Sequence, residues 1–293
     1  SGLLMTLFTL VAFYSFMVYE ETYKRLFLLV SVVFFVLGLL SHESGVTLPL
    51  MVIWYLIYKS KSNLLGLFKK RYKLLILFAI ILGLYAYVRN TAGAHGLSGD
   101  YNYNISHLPF NIFGNLAGYL STSILGLWVI PYYNFFRQYL REQIGLALSI
   151  LVFISAGLVF IRKKLQVLGN KKPILLLGLS VVSLLPYLGL GNLSERYALL
   201  ASSFLAILMV HVLESGVLRL TVNKKKAYVV LGVIILIIGF WYQKDLGKSI
   251  QNWKNAGDTS RKIIYAVKEN YRFYPKGSNL FFGGQLGLRS MAN

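Results

Sequence analysis

The sequence lacks cysteine altogether, and acidic residues number only 10 in 293. Without cysteine there is no disulfide framework, no thiol nucleophile and no thiolate metal site. Charge of either sign is scarce too, at 14% of residues against about 25% in an ordinary soluble domain, which argues against a soluble single-core protein. No P-loop, glycine-rich dinucleotide turn, serine elbow or His-Glu-x-x-His sequence occurs, so neither ATP coupling nor a familiar hydrolase site has a motif to rest on.

What is present is apolar and basic. Hydrophobic residues make up 56% of the chain, and 30 Lys and Arg leave a formal net charge of +20. Such a charge suggests nucleic acid at first sight. Its distribution excludes that partner, because the basic residues form short clusters between long apolar runs, as in the cytoplasmic loops of polytopic membrane proteins. An apolar run begins directly after Ser1, without a basic leader or a cleavage site ahead of it, so it does not read as a signal peptide.

A membrane-spanning helix takes about 20 largely apolar residues. Eight segments approach that length: Leu3 to Tyr19, Tyr23 to Leu40, Gly45 to Tyr58, Leu74 to Val88, Ile144 to Ile161, Ile174 to Leu190, Tyr197 to Leu213 and Ala227 to Tyr242. Gly45 to Tyr58 is short and contains Pro49, the mark of a broken or re-entrant helix. Orientation follows from three basic clusters: Lys59 to Lys73, Arg162 to Lys172 and Arg219 to Lys226. All three fall on the cytoplasmic side only if the polar-studded stretch Ile105 to Pro131 does not cross and is instead an external interfacial or re-entrant helix.

The expected fold is therefore all-α: a polytopic transmembrane bundle over residues 1–243, followed by a short external α/β appendage over 244–293. In that appendage Trp253, Ile263, Ile264 and Val267 recur at roughly helical spacing, and Asn279 to Phe282 reads as strand-like. Fifteen of the basic residues sit in the three inside clusters, and Arg89, Arg137, Arg141 and Arg196 are the ones left outside within the bundle.

Ionisable groups at membrane depth are costly, so their presence points to function. Ser41-His42-Glu43-Ser44 sits between two apolar segments: His42 offers a base or a phosphate contact, and Glu43 a partner for a cation or a sugar hydroxyl. A polar hairpin cap is the plainer use. Ser194-Glu195-Arg196-Tyr197 opens a helix at its external mouth, where the Arg196 fork suits bidentate phosphate binding, or where Glu195 and Arg196 merely pair. Arg89, at the outer end of its helix, either faces an external cavity or snorkels to the headgroups. The substrate-binding candidates are thus His42, Glu43, Arg89, Glu195, Arg196 and Tyr197. His95, Asp100 and His107 share one loop but match no metal spacing.

In its order of elements the chain resembles the polytopic GT-C type glycosyltransferases, in particular bacterial relatives of the membrane O-mannosyltransferases that carry tetratricopeptide repeats. The residues that carry the resemblance are Leu40 to Pro49, similar to the family's Lys-Glu followed by small residues and a proline; Asn115, Tyr119 and Pro131, similar to its external helix; and Leu185-Pro186 followed by Glu195-Arg196-Tyr197, similar to its Leu-Pro and Glu-Arg-Tyr signature. The resemblance implies a polyprenyl-phosphate-linked sugar as donor, a protein, lipid or polysaccharide acceptor, and transfer on the external face of a bacterial inner membrane. His42 stands where the family has Lys, and Leu199 and Ala201 replace its Tyr and Pro. The family's acidic general base lies before the helix that starts here at Leu3, and no residue of this chain takes that role, so the resemblance implies either a fragment lacking the first helix and first external loop or a divergent, inactive branch. No cofactor is identified and a divalent metal is left open. Two other classes compete: a surface-polysaccharide polymerase or ligase, and a transporter or membrane scaffold, although no internal repeat of the kind common in transporters is found.

Overall fold

In the computed structural model the described residues are 2–60, 64–93, 108–126, 129–142, 172–190, 193–220 and 224–270. They form α1 (Gly2–Thr22), α2 (Arg25–Ser41), a 3-10 turn (Glu43–Thr47), α3 (Leu48–Lys59), α4 (Leu64–Thr91), α5 (Leu108–Leu125), α6 (Ile130–Glu142), α7 (Lys172–Leu188), a second 3-10 turn (Glu195–Ala198), α8 (Leu199–Leu220) and α9 (Lys224–Asn270). No strand occurs among the described residues. Two compact units divide the chain, Ser1–Val222 and Asn223–Asn293.

Four of these helices contain stretches long and apolar enough to cross a membrane: Gly2–Thr22, Arg71–Thr91, Leu199–Leu218 and Lys225–Glu269; Arg25–Ser41 and Lys172–Leu188 are shorter apolar helices. The expected Gly45 to Tyr58 segment is broken into the first 3-10 turn and α3, with Pro49 in the first turn of α3, where its missing N–H removes no helical bond. Ile144 to Ile161 lies outside the described residues. Within the stretch Ile105 to Pro131, α5 ends at Gly126, whose φ of 95° is open to glycine, before α6 begins.

Exposed apolar side chains line single helix faces. Leu26, Leu29, Val33, Leu37 and Leu40 do so on α2, and Ile76, Ile80, Leu84 and Tyr87 on α4. Stripes of this size are unfavourable against water and at home against hydrocarbon, where helices satisfy their own backbone groups. The chain is a helical protein whose apolar helices suit a membrane.

Inside the larger unit, α1 packs along α2, and rings from α1 to α4 interlock. Phe35 meets Phe78 edge to face at 5.4 Å, Phe13 meets Tyr55 at 5.9 Å, and Phe16 meets Phe78 at 6.4 Å, a geometry that aligns the positive ring edge with the negative face. α7 is the hub of the second half, in contact with α3, α5, α8 and both 3-10 turns. Gly178 makes the α3 contact possible: the Trp54 indole lies where a Cβ would stand, and its Nε1 donates to the Leu175 carbonyl at 3.1 Å. Gly178→Ala is expected to destabilise by about 1–3 kcal/mol through overpacking. Gly83→Ala, where a Cβ meets nothing within 4 Å, is expected to be neutral or slightly stabilising; thermal unfolding of the solubilised protein distinguishes the two.

Two boundaries differ from the sequence expectation. α4 starts at Leu64, well before the apolar run at Leu74, because Lys and Arg are good helix formers and extend the helix through their own cluster. α9 does not stop at Tyr242 but continues as one helix of 47 residues to Asn270, with no proline to end it. The helical spacing expected around Trp253 to Val267 is therefore a continuation of the last apolar helix, while Asn279 to Phe282 lies outside the described residues.

Candidate functional site

Two carboxylate–arginine pairs bracket α4. Arg71 and Arg89 stand 18 residues apart on it, about 27 Å at 1.5 Å per residue, close to the roughly 30 Å of a hydrocarbon core. At the Arg71 end, Glu20 from α1 is 3% exposed and meets the guanidinium at 2.8 Å. Lys59 donates to the Glu20 carbonyl oxygen at 2.8 Å, and Arg71 lies 5.6 Å from the Tyr23 ring centroid. Tyr23 closes α1 with its N–H donating to the Tyr19 carbonyl at 2.7 Å, at a φ of 54° that is uncommon for a bulky residue. The basic cluster expected inside is thus tied to α1 by a buried acid.

At the other end, the Glu43 carboxylate pairs with Arg89. Arg89 also donates to the Tyr85 hydroxyl, one turn earlier, at 3.2 Å. His42 caps the first 3-10 turn: its Nδ1 accepts from the Ser44 N–H at 3.2 Å and lies 2.6 Å from the Ser44 Oγ. An accepting Nδ1 places the proton of the neutral ring on Nε2. Gly45 permits this turn to lie against α2, since a Cβ there would stand 3.0 Å from the Gly38 carbonyl carbon and the Leu39 nitrogen. Glu43 and Arg89 are each more than a third exposed, at 38% and 37%. A pair so exposed contributes about 0–1 kcal/mol to stability, so the chemistry it offers, a guanidinium held by a carboxylate and a phenol, is not explained by folding energetics.

The second 3-10 turn carries the other candidates. Asn115 of α5, fully buried, directs its Nδ2 at the carbonyls of Leu190, Leu188 and Tyr187, at 2.8, 3.0 and 3.3 Å. These belong to the open C-terminal end of α7, whose last carbonyls have no helical donor. The Tyr119 hydroxyl accepts from the Ser194 N–H at 3.4 Å, and Tyr197 stacks on Tyr187 with centroids 4.1 Å apart. Tyr197 is therefore buried among aromatic neighbours. Glu195 and Arg196 lie on this turn through their backbone; their side chains lie outside the described part, as do those of Arg137 and Arg141.

His42 and Glu43, expected from one segment, and Arg89, expected from another, are brought together at one end of α4, and the turn holding Glu43 packs against α7, as does the turn holding Glu195 to Tyr197. Sequence reasoning passed over Tyr85, which with Ser44 positions this group, although Tyr85 stands at the (i, i+4) spacing before Arg89 that brings side chains together on a helix. It also passed over Glu20. No group of three or more His, Asp or Glu side chains suited to a metal occurs among the described residues. No family model, curated protein or solved structure matches the chain.

Proposed function

We propose that this chain is the membrane portion of a GT-C type glycosyltransferase, which moves a sugar from a polyprenyl-phosphate donor to a protein, lipid or polysaccharide acceptor on the external face of a bacterial inner membrane. The observation that carries the reading is the grouping of Arg89 with Glu43, Tyr85 and the His42 cap at the end of α4 opposite the Lys59 and Arg71 group. A lipid-linked donor enters sideways from the bilayer and presents its phosphate at headgroup depth, where a fixed guanidinium matches a phosphate oxygen pair. Breaking the bond between the anomeric carbon and the phosphate oxygen leaves charge on that oxygen, and a cation preorganised there lowers the barrier. Glu43 then orients Arg89, and Arg196 supplies a second cation on a turn that shares α7. The acceptor oxygen displaces the phosphate with inversion and gives its proton to a base that is assigned to no residue of this chain.

Because the Glu43–Arg89 pair adds little to stability, Arg89→Gln is expected to leave the unfolding temperature nearly unchanged while reducing transfer at least about tenfold, the scale of one lost charge-assisted contact to phosphate. The check is transfer from a radiolabelled polyprenyl-phosphate sugar by membranes containing the parent protein, with a known enzyme run in parallel. Absence of transfer by the unsubstituted protein, or transfer undiminished in Arg89→Gln, overturns the assignment.

A further inference from the structure

The half of α9 beyond its apolar run has a pattern that nothing in the proposed transfer uses. From Gln243 to Asn270 the helix continues for about 42 Å at 1.5 Å per residue. Along it Leu246, Ile250, Trp253, Ile264 and Val267, with Gly257 and Ser260 filling the register, repeat at alternating steps of four and three residues. That alternation averages 3.5 residues and is the seam of a coiled coil, whereas an ordinary globular helix follows 3.6. Ala256 and Ile263 widen the apolar side along one flank. Leu246, Ile250, Trp253 and Ile264 are exposed, Trp253 at 79%.

We infer that this half of α9 is a self-association stalk, on which a second copy of the chain packs in parallel along the same seam. Three features favour a second copy over another occupant. A four-three seam is complementary to itself when two copies share direction and register. Anchoring by the apolar half of α9 in one membrane gives both copies the same direction, so the parallel arrangement is the one available. The charges agree with it: Lys254, Arg261 and Lys268 occupy equivalent positions seven residues apart on one flank. In a parallel pair they face Ser249, Ala256 and Ile263 of the other copy; an antiparallel pair would set basic against basic. The four exposed seam side chains of two copies together offer on the order of 1,000 Å², the lower limit of a specific interface.

The absence of cysteine from the chain makes the test direct. Single substitutions Ile250→Cys and Ile264→Cys on the seam, and Lys248→Cys, Asn255→Cys and Lys262→Cys on the opposite face, are introduced into the full chain and oxidised in native membranes. The expected result is a covalent species of twice the chain mass from the seam positions and its loss at the opposite face. In parallel, single-particle mass measurement of the nanodisc-embedded protein is expected to shift from two chains to one on Ile250→Asp with Ile264→Asp. Crosslinking that is absent, or equal around the helix, overturns the proposal, as does a seam product whose mass matches another protein. Thiols at 250 and 264 that resist both crosslinking and a water-soluble maleimide would place the stripe on lipid and overturn it equally.

Discussion

Arg71→Leu is expected to destabilise the folded chain by about 3–5 kcal/mol, the cost of leaving a buried charge without its partner. Glu20 is 3% exposed and Arg71 17% exposed, so neither carboxylate nor guanidinium is screened by water as surface pairs are. One carboxylate oxygen, Oε1, already has no hydrogen-bond partner among the described residues, which leaves the Arg71 bond at 2.8 Å as the principal compensation for desolvation. Arg71 also covers the Tyr23 ring at the left-handed turn joining α1 to α2, so its loss loosens the connection as well. Replacing both partners, Glu20→Leu with Arg71→Leu, is expected to recover most of the loss, because two apolar side chains of similar size carry no desolvation cost. Thermal unfolding of the solubilised protein, followed by tryptophan fluorescence, measures the cycle. An Arg71→Leu effect no larger than that of the exposed Arg89→Gln would contradict the buried-pair account.

Asn115→Leu carries the second large effect, about 2–4 kcal/mol, and separates packing from hydrogen bonding. The side chains are close in size, but leucine supplies no donor. The carbonyls of Leu188 and Leu190, bonded at 3.0 and 2.8 Å, then lie buried and unpaired, at about 1–3 kcal/mol each. Asn115→Asp is expected to do more harm than Asn115→Leu despite its closer shape, since an ionised carboxylate turns acceptors toward acceptors. The effect also reaches the candidate site. Asn115 fixes the end of α7 from which the chain proceeds to Ser194 and the Glu195–Ala198 turn, and Tyr119 holds Ser194 from the same helix. On the proposed function, Asn115→Leu at a temperature where the protein remains folded is expected to lower transfer together with donor affinity. Unchanged transfer kinetics would assign Asn115 to stability alone.

Much of this architecture was legible from composition and periodicity. Apolar runs near 20 residues have few alternatives to helices, and they mark α1, α2, the apolar part of α4, α7, α8 and the first half of α9. Charge was less informative about boundaries. Lysine and arginine bear on the orientation expected in a membrane, yet they favour helix as strongly as leucine does, so α4 runs through its basic cluster and α9 through its polar half. The four-three stripe along α9 was in the sequence as well, but only an unbroken helix gives it one face.

The site divides in the same way. His42, Glu43 and Arg89 stood out one by one because ionisable groups at membrane depth are expensive, and that cost is a property of residue type and position in the chain. Which of them meet depends on helix pairing. Glu43 reaches Arg89 across 46 residues and Glu20 reaches Arg71 across 51, and no local pattern encodes either distance. What the sequence alone determined was the solvent each helix suits, since burial of apolar side chains adds up residue by residue. What the tertiary structure decided was which charge answers which, because an ion pair is set by the ångström, and that spacing exists only once α1, α4 and the turn that follows α2 have packed.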